Sequence, residues 1–244
     1  MQEFLDRIGE ACPRFAFSNK ISMKYRKTEY RNSKGRHLTS SGNSMEITLL
    51  IQNRGSGNMM DSVFAYEGDR FDDDTLLSQL GSEYDAYYTP ADIENGVYPV
   101  VIDPSYLFGT VLQHFVAEMY VSGASLLSGK LGQKIFAENL SLSNDMNPTT
   151  NPGAFFFDGE GCIAPDFRPT LIDKGTLTAL LTTKKSAKQY SLPNLGTAAN
   201  IYDGVPNLGF NRFYVNATAP SLSSLVPGKS IYVVMASGGD TTPD

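Results

Sequence analysis

The chain has 244 residues, of which 41% are hydrophobic and 19% are charged, a composition typical of a soluble globular protein. Its formal net charge of −6 argues against a broad nucleic-acid-binding surface, which needs clustered lysine and arginine. No apolar run approaches the roughly 20 residues that span a bilayer. The segment from Met1 to Arg7 contains acidic residues where a secretory signal has a basic and then an apolar region. We therefore expect a cytoplasmic protein with neither a nucleic-acid nor a membrane partner.

Two cysteines, Cys12 and Cys162, are too few and too far apart in sequence to indicate a disulfide framework. Each is predicted to be a small apolar filler. Side chains alternate faces along a strand, so half of the basic residues in the one basic stretch, residues 20–36, are predicted to lie on the solvated side of a strand pair, and the stretch is predicted to be a surface and not a groove.

The first 92 residues predict a short α/β region. We predict a helix over residues 1–11, a strand–turn–strand unit over 23–41, and further strands at 45–49 and 59–68. The acids at 72–74 then predict a capped helix that ends near residue 87. Residues 89–96 are rich in turn formers and mark a domain boundary, so that the predicted domains are 1–92 and 97–244.

The second predicted domain begins with a buried strand at 98–102 and one long amphipathic helix from Ser105 to Tyr120, whose apolar residues form one wide face. Beyond it the chain is rich in Gly, Asn, Pro and Thr, with short strands predicted near 177–182, 212–217 and 231–235. This pattern predicts a mostly β, curved or barrel-like sheet. The predicted fold class is therefore α+β.

A first candidate for chemistry is His114, which lies four residues before Glu118 and would share a helical face with it. An H-E-x-x-H zinc helix needs two histidines and a glutamate, but Phe115 follows His114 and no second histidine follows. A hydrogen-bonded structural pair is the simpler interpretation.

A second candidate is the segment Phe155–Gly161, in which three aromatic residues precede Asp158 and Glu160. In an extended strand the two carboxylates would point to the same side, as acid–base pairs do. The alternative is a turn with solvated acids, in which the glycines permit positive φ. Neither a nucleophile elbow nor a phosphate-binding glycine loop is present in the sequence.

The chain resembles the TldD/PmbA family from about Val97 onward, and more loosely from Lys20 to Tyr88. The colinear segments that carry the resemblance are Tyr98–Pro104, the helix through His114, Ser128–Gly132, Phe157–Gly161, Leu171–Leu177, Ala187, Leu195–Asn200 and Ser237–Asp240. The family comprises peptidases and peptide-maturation proteins that are also described as modulators of DNA gyrase. The resemblance implies a role in proteolysis or peptide maturation, with a shortened N-terminal region and an early C-terminal stop relative to the family.

The resemblance also implies one of two kinds of subunit. The TldD kind carries an H-E-x-x-x-H helix and a late cysteine as zinc ligands, whereas the PmbA (TldE) kind lacks them and pairs with it. Here Phe115 replaces the glutamate, Met119 replaces the second histidine, and no cysteine follows Cys162. The resemblance thus implies a PmbA-like subunit without metal, other cofactor or catalytic residues, in which His114 and Glu118 mark a vestigial metal-helix position.

The leading hypothesis is a metal-free subunit that lines half of a cleft for unfolded peptide. Its partner would be a TldD-like zinc-binding subunit or a second copy of itself in a homodimer. The candidates for the cleft or the subunit interface are Asp158, Glu160, Gly161, Thr197 and Asn200. Two alternatives stay open: an independent metal-dependent peptidase that uses His114, Glu118 and a third ligand, and a non-catalytic peptide-binding or assembly protein.

Overall fold

The structure, a computed structural model, describes residues 2–68, 72–102, 111–151, 154–200, 204–209, 213–216, 218–226 and 228–233. Its described α-helices are α1 (Gln2–Ala11), α2 (Asp73–Tyr87), α3 (Ala117–Ser122), α4 (Lys184–Tyr190) and α5 (Leu222–Leu225). Two 3₁₀-helices span Leu112–Phe115 and Pro165–Phe167. The described strands are β1 (Phe15–Arg31), β2 (His37–Asn53), β3 (Ser62–Gly68), β4 (Val100–Ile102), β5 (Leu142–Asn144), β6 (Thr170–Asp173), β7 (Thr176–Leu177), β8 (Ala198–Ala199), β9 (Asn207–Leu208), β10 (Phe213–Val215) and β11 (Ile231–Val233).

The protein is of the α+β class, as predicted, with more strands than helices. The described strands form one three-stranded, one four-stranded and two two-stranded sheets, and none of these sheets closes into a barrel. The described residues divide into two compact units. Unit 1 comprises those within 1–25, 43–103 and 228–242, and unit 2 those within 26–42 and 104–227. The linear division into 1–92 and 97–244 stays a prediction.

Unit 1 contains most of the sheet ordered β1–β2–β3 and the parallel pair β4–β11. On β2, Ile47, Leu49 and Ile51 are buried while Leu50 is exposed. This alternation is the period of two that the sequence shows, because successive side chains of a strand point to opposite faces. It places one face of β2 in the core of the unit.

The two helices of unit 1 cover that core, and both sequence predictions are confirmed. Phe4 and Ile8 lie one turn apart on α1 and are 1% exposed. Helix α2 begins after Asp72, whose side chain accepts a hydrogen bond from the Thr75 N–H at 3.1 Å. Such an N-cap satisfies one of the donors that a helix start leaves unpaired.

The β1–β2 hairpin is longer than predicted, at 17 residues a strand, and its second strand includes the separate strand predicted at 45–49. The predicted turn is present. The Asn32 Oδ1 accepts from the N–H groups of Lys34 and Arg36, each at 3.0 Å, and Gly35 has a φ of +81°. The residues around this turn, 26–42, belong to unit 2.

Unit 2 is built on an antiparallel sheet in the order β10–β5–β6–β7, with a separate antiparallel pair β8–β9. Its buried core comprises Leu112, Phe115, Leu127, Leu142, Leu171, Ile172, Leu177, Ala179 and Leu181. The short strands predicted at 177–182 and 212–217 correspond in part to β7 and β10, and those at 98–102 and 231–235 to β4 and β11 of unit 1.

The predicted long helix from Ser105 to Tyr120 is wrong over its described part; residues 105–110 lie outside the described residues. A 3₁₀-helix ends at Phe115, Val116 is extended with φ −67° and ψ 125°, and α3 begins at Ala117. The break has a tertiary cause. The Ala117 N–H donates to the Leu181 carbonyl at 3.1 Å, and the Leu181 N–H donates to the Phe115 carbonyl at 2.8 Å. Strand-like pairing at Val116 therefore replaces the next helical turn.

None of the described helices has both the length and the apolar character needed to cross a membrane.

Candidate functional site

The segment that the sequence identifies as acidic forms a tight turn in unit 2. Asp158 is 4% exposed, and its Oδ1 accepts from the N–H groups of Glu160 at 2.9 Å and Cys162 at 2.7 Å. Its Oδ2 accepts from the Ala198 N–H at 3.1 Å. Gly161 has a φ of +69°, which favours glycine. Of the two alternatives for this segment, the structure has the turn rather than the extended strand.

The turn packs closely against β8 and the residue that follows it. The Gly159 N–H donates to the Ala198 carbonyl at 2.8 Å, and a Cβ at Gly159 would lie 2.8 Å from the backbone nitrogen of Asn200. Only glycine permits that approach without a shift of the backbone. Asp158 therefore acts chiefly as a backbone acceptor that fixes the turn to β8.

Glu160 binds the start of α4 and not a second carboxylate. Its Oε2 accepts from the Lys184 N–H at 2.6 Å, where an anion is favoured by the partial positive charge of a helix N-terminus. The Lys184 ammonium contacts the Glu160 carbonyl and lies 6.0 Å from the centroid of the Tyr30 ring. The Arg36 guanidinium donates to the Gly161 carbonyl at 2.7 Å. Both acids are thus engaged by donors of unit 2.

Asp158, Glu160 and Cys162 are the one group of potential metal ligands found among the described residues, with ligand atoms within 4.8 Å of one another. The Cys162 Sγ accepts from the Asn194 side chain at 3.2 Å. Burial, and then the charge of Asp158, raise the pKa of the Cys162 thiol, so that the protonated form is favoured. Zinc held by these three ligands would compete with the internal donors for the carboxylate oxygens and would need the deprotonated thiol. Cys162 is half-buried and polar in its contacts, whereas Cys12 is the buried filler that was predicted.

A cavity of about 520 Å³ lies beside the turn, within unit 2. The hairpin end contributes Arg26, Thr28, Glu29 and Tyr30, and the rest of the wall is Asp145, Met146, Asn151, Ala154, Phe155, Phe157, Asp158, Gly159, Ala198, Ala199 and Asn200. Asp145 is buried and forms an ion pair with Arg168 at 3.0 Å. The cavity therefore combines aromatic side chains, charged groups of both signs and the backbone of β8.

The predicted cleft or interface residues occupy three environments. Asp158 and the exposed Asn200 line the cavity, whereas Glu160 and Gly161 lie in the turn outside its wall. Thr197 is fully buried; its hydroxyl donates to the Thr182 carbonyl at 3.0 Å. Thr197 thus holds two segments together rather than facing a ligand.

The vestigial metal-helix position does not form a single helical face. His114 ends up in the 3₁₀-helix and Glu118 in α3, on opposite sides of the extended Val116. The Leu126 N–H donates to the Nδ1 of the half-buried His114 at 3.4 Å, and Glu118 is exposed. Phe115 is 0% exposed and stacks on Phe136 with ring centroids 6.4 Å apart. The predicted one-turn relation between His114 and Glu118 is wrong, because Val116 pairs with Leu181.

The sequence did not predict that the hairpin contributes to the cavity. Arg26 and Tyr30 lie in the basic stretch that was predicted to be a surface and not a groove, and the long-range contacts that bring them into the same cavity wall as Asp158 leave no local signal. Tyr30 is a large aromatic residue among charged neighbours, but Tyr25 in the same strand is another, so the sequence does not single it out.

Comparison with known proteins identifies a family and several relatives of the chain. The family model described as the PmbA/TldA metallopeptidase C-terminal domain matches residues 95–243. A protein of Methanothermobacter thermautotrophicus named metalloprotease is 28% identical over 153 residues, which cover 59% of this chain and 33% of that protein. A metalloprotease of Archaeoglobus fulgidus is 28% identical over 133 residues, covering 52% and 29%. The chain thus spans about a third of the length of these relatives.

Two solved structures share the fold. TldE from Thermococcus kodakarensis superimposes with a TM-score of 0.72 at 21% identity, covering 91% of this chain and 52% of that one. A proposed modulator of DNA gyrase from Bacteroides thetaiotaomicron gives a TM-score of 0.70 at 19% identity, covering 98% and 55%. The chain corresponds to about half of each of these proteins.

Proposed function

Because the chain belongs to the PmbA/TldD family, which is metallopeptidase-related, we propose that it is a metal-free subunit of a peptidase or peptide-maturation assembly. In this proposal a TldD-like partner supplies zinc, and this chain lines part of the cleft that admits unfolded peptide. The proposal is supported chiefly by the burial of Phe115. This aromatic residue is fully buried at the position where the resemblance implies the glutamate of a zinc helix.

The residues next to Phe115 disfavour metal binding at the position of the family's zinc helix. The Phe115 ring fills the core of unit 2, so that replacing it with a carboxylate would bury an unpaired charge. Met119 offers only a thioether, a poor ligand for zinc, and the His114 Nδ1 already accepts a backbone hydrogen bond. Residues 112–119 do not fit a zinc site.

The acidic turn supports the same proposal. A general acid or base must be free to exchange a proton with a substrate. The two Asp158 oxygens accept three backbone hydrogen bonds, and the Glu160 Oε2 accepts one at the start of α4. These carboxylates stabilise the wall of the cavity rather than acting as a catalytic pair.

The cavity beside the turn is our candidate for the peptide-contacting surface. Its volume of about 520 Å³ is within the range of ligand pockets, roughly 300–1,000 Å³. Tyr30, Phe155 and Phe157 offer apolar surface, and the Asn200 amide can both donate to and accept from a peptide backbone. This mixture suits an extended chain of varied sequence.

The metal content of the purified chain tests the proposal. We expect much less than one zinc per chain after purification without chelator, measured by inductively coupled plasma mass spectrometry. The His114→Ala and Cys162→Ser variants should not change that value. Stoichiometric zinc that is lost in either variant would contradict the proposal and would identify which ligand group binds it.

The cluster of Asp158, Glu160 and Cys162 favours one alternative, an independent metal-dependent peptidase whose ligands differ from the His114 and Glu118 pair. It requires that zinc compete with the internal donors and that the Cys162 thiol release its proton on binding. A peptide-cleavage assay of the chain alone, with and without a chelator, separates this alternative from the metal-free proposal.

A further inference from the structure

Unit 1 contains a second cavity, unrelated to the acidic turn. Its volume is about 480 Å³, and its walls come from β1, the β2–β3 region, α2 and β11. The lining residues are Cys12, Phe15, Phe17, Ile51, Asp61, Ser62, Leu80, Ser82, Glu83, Tyr84, Ala86, Tyr87 and Tyr232. The proposed peptidase role does not involve this cavity.

The wall of this cavity is rich in interlocked aromatic rings. The Phe15 ring packs edge-on against Tyr84, with centroids 4.6 Å apart, and against Tyr87, with centroids 5.3 Å apart. Tyr88, beside them, already holds a cation, because the Arg14 guanidinium carbon lies 3.6 Å from its ring centroid. The faces of such rings carry negative potential and attract cations.

The wall also contains a carboxylate oxygen that makes no hydrogen bond with the described residues. The Glu83 Oε2 is shielded from solvent, and among the described residues no donor lies within hydrogen-bond distance of it. Burial raises the pKa of Glu83 above its ordinary value of 4.5. A buried polar atom without a partner costs free energy, which a ligand donor or cation would recover.

The second acid of the wall differs from Glu83. Asp61 accepts hydrogen bonds from the Asn58 side chain at 2.9 Å and from the Asn53 N–H at 2.7 Å, and these bonds lower its pKa. Asp61 is therefore ionised and satisfied. Asp61 adds negative charge to the cavity and already has its hydrogen-bond donors, whereas the Glu83 Oε2 has none among the described residues.

We propose that this cavity is a binding site for an ammonium group on an apolar stem, with the rings of Phe15, Tyr84, Tyr87 and Tyr232 around the stem and Glu83 facing the charge. The inference rests on the geometry of unit 1 and does not depend on the proposed peptidase role. A free organic amine and a lysine side chain of a peptide present the same chemistry.

The test uses benzylammonium as the cationic probe and benzyl alcohol as its neutral counterpart, each titrated calorimetrically into the full chain at neutral pH. We expect benzylammonium to bind about tenfold more tightly than the alcohol. Glu83→Gln should abolish that preference. Asp85→Asn, which removes an acid of the same helix outside the cavity wall, should leave it intact.

A second variant keeps the test informative if Glu83→Gln fails to fold, as circular dichroism would show. Tyr232 is 63% exposed, so that Tyr232→Leu removes a ring at little structural cost, and it should weaken benzylammonium binding severalfold. A short peptide with a free lysine side chain and an acetylated N-terminus that displaces benzylammonium would favour a peptide side chain as the source; displacement by n-butylammonium but not by this peptide would favour a free amine. The proposal is overturned if the two probes bind equally, if Glu83→Gln keeps the preference, or if neither probe binds at millimolar concentration.

Discussion

At the scale of single residues, the main result concerns Asp158. The sequence offers Asp158 and Glu160 either as a reactive pair or as turn residues, and the hydrogen bonds decide for the turn. One buried carboxylate accepts from Glu160, Cys162 and Ala198, which joins a loop to a strand 40 residues further along the chain. Charged hydrogen bonds of this kind contribute more stability than neutral ones.

Removal of this carboxylate should therefore be costly. In Asp158→Ala the buried N–H of Ala198 and two turn donors lose their acceptor, and we expect a loss of about 2–4 kcal/mol in the free energy of unfolding. Urea denaturation measures it. Asp173→Ala, an exposed acid at the end of β6, serves as the control and should change stability little. Equal effects of the two substitutions would show that the Asp158 hydrogen bonds contribute no special stability.

At the scale of elements, the sequence predicted those helices and turns whose stabilising contacts lie within one segment. Helix α2 was predicted from Asp72 and the spacing of Leu76 and Leu80, because its cap and its apolar face lie within one segment. The hairpin turn was predicted from its asparagine and glycine. The break at Val116 was not, because the hydrogen bonds that cause it come from Leu181, 65 residues later.

Helix α4 was not predicted from the sequence either. Its seven residues show no clear apolar period, and its start depends on capping hydrogen bonds. The Thr183 side chain accepts from the Ser186 N–H, and the Ser186 hydroxyl accepts in return from the Thr183 N–H. This capping box and Glu160 together satisfy the first donors of the helix.

The cap gives a prediction for α4. Thr183→Ala should destabilise the protein by about 1 kcal/mol, since the Ser186 N–H loses its acceptor at a buried position. Thr183→Ser keeps the hydroxyl and should cost clearly less. Thermal unfolding of the two variants compares them, and a Ser variant as unstable as the Ala variant would show that side-chain packing, not capping, fixes the start of α4.

At the scale of the whole molecule, the sequence predicted the α+β class and the family, and the family model over residues 95–243 agrees with the part of the chain where the resemblance was found. The cavity of unit 2 could not be predicted in full, because Arg26 and Tyr30 line the same cavity as Asp158 only through the tertiary fold. The candidate residues Asp158 and Asn200 were close to each other in the structure because Gly159 allows β8 to approach the turn.

The chain spans only part of the proteins it is similar to, so an activity within an assembly stays a proposal for this chain. In the proposed assembly, the buried Phe115 and the hydrogen-bonded Asp158 favour a binding role for this chain, with the metal chemistry on its partner.

The most direct measurement is cleavage of an unfolded peptide by the purified chain, by a TldD-like subunit with an H-E-x-x-x-H helix from the same source, and by their mixture. We predict that the chain alone is inactive, that the mixture is more active than either subunit, and that a chelator abolishes the activity. His114→Ala in this chain should leave the activity of the mixture unchanged. Chelator-sensitive cleavage by the chain alone would contradict the account.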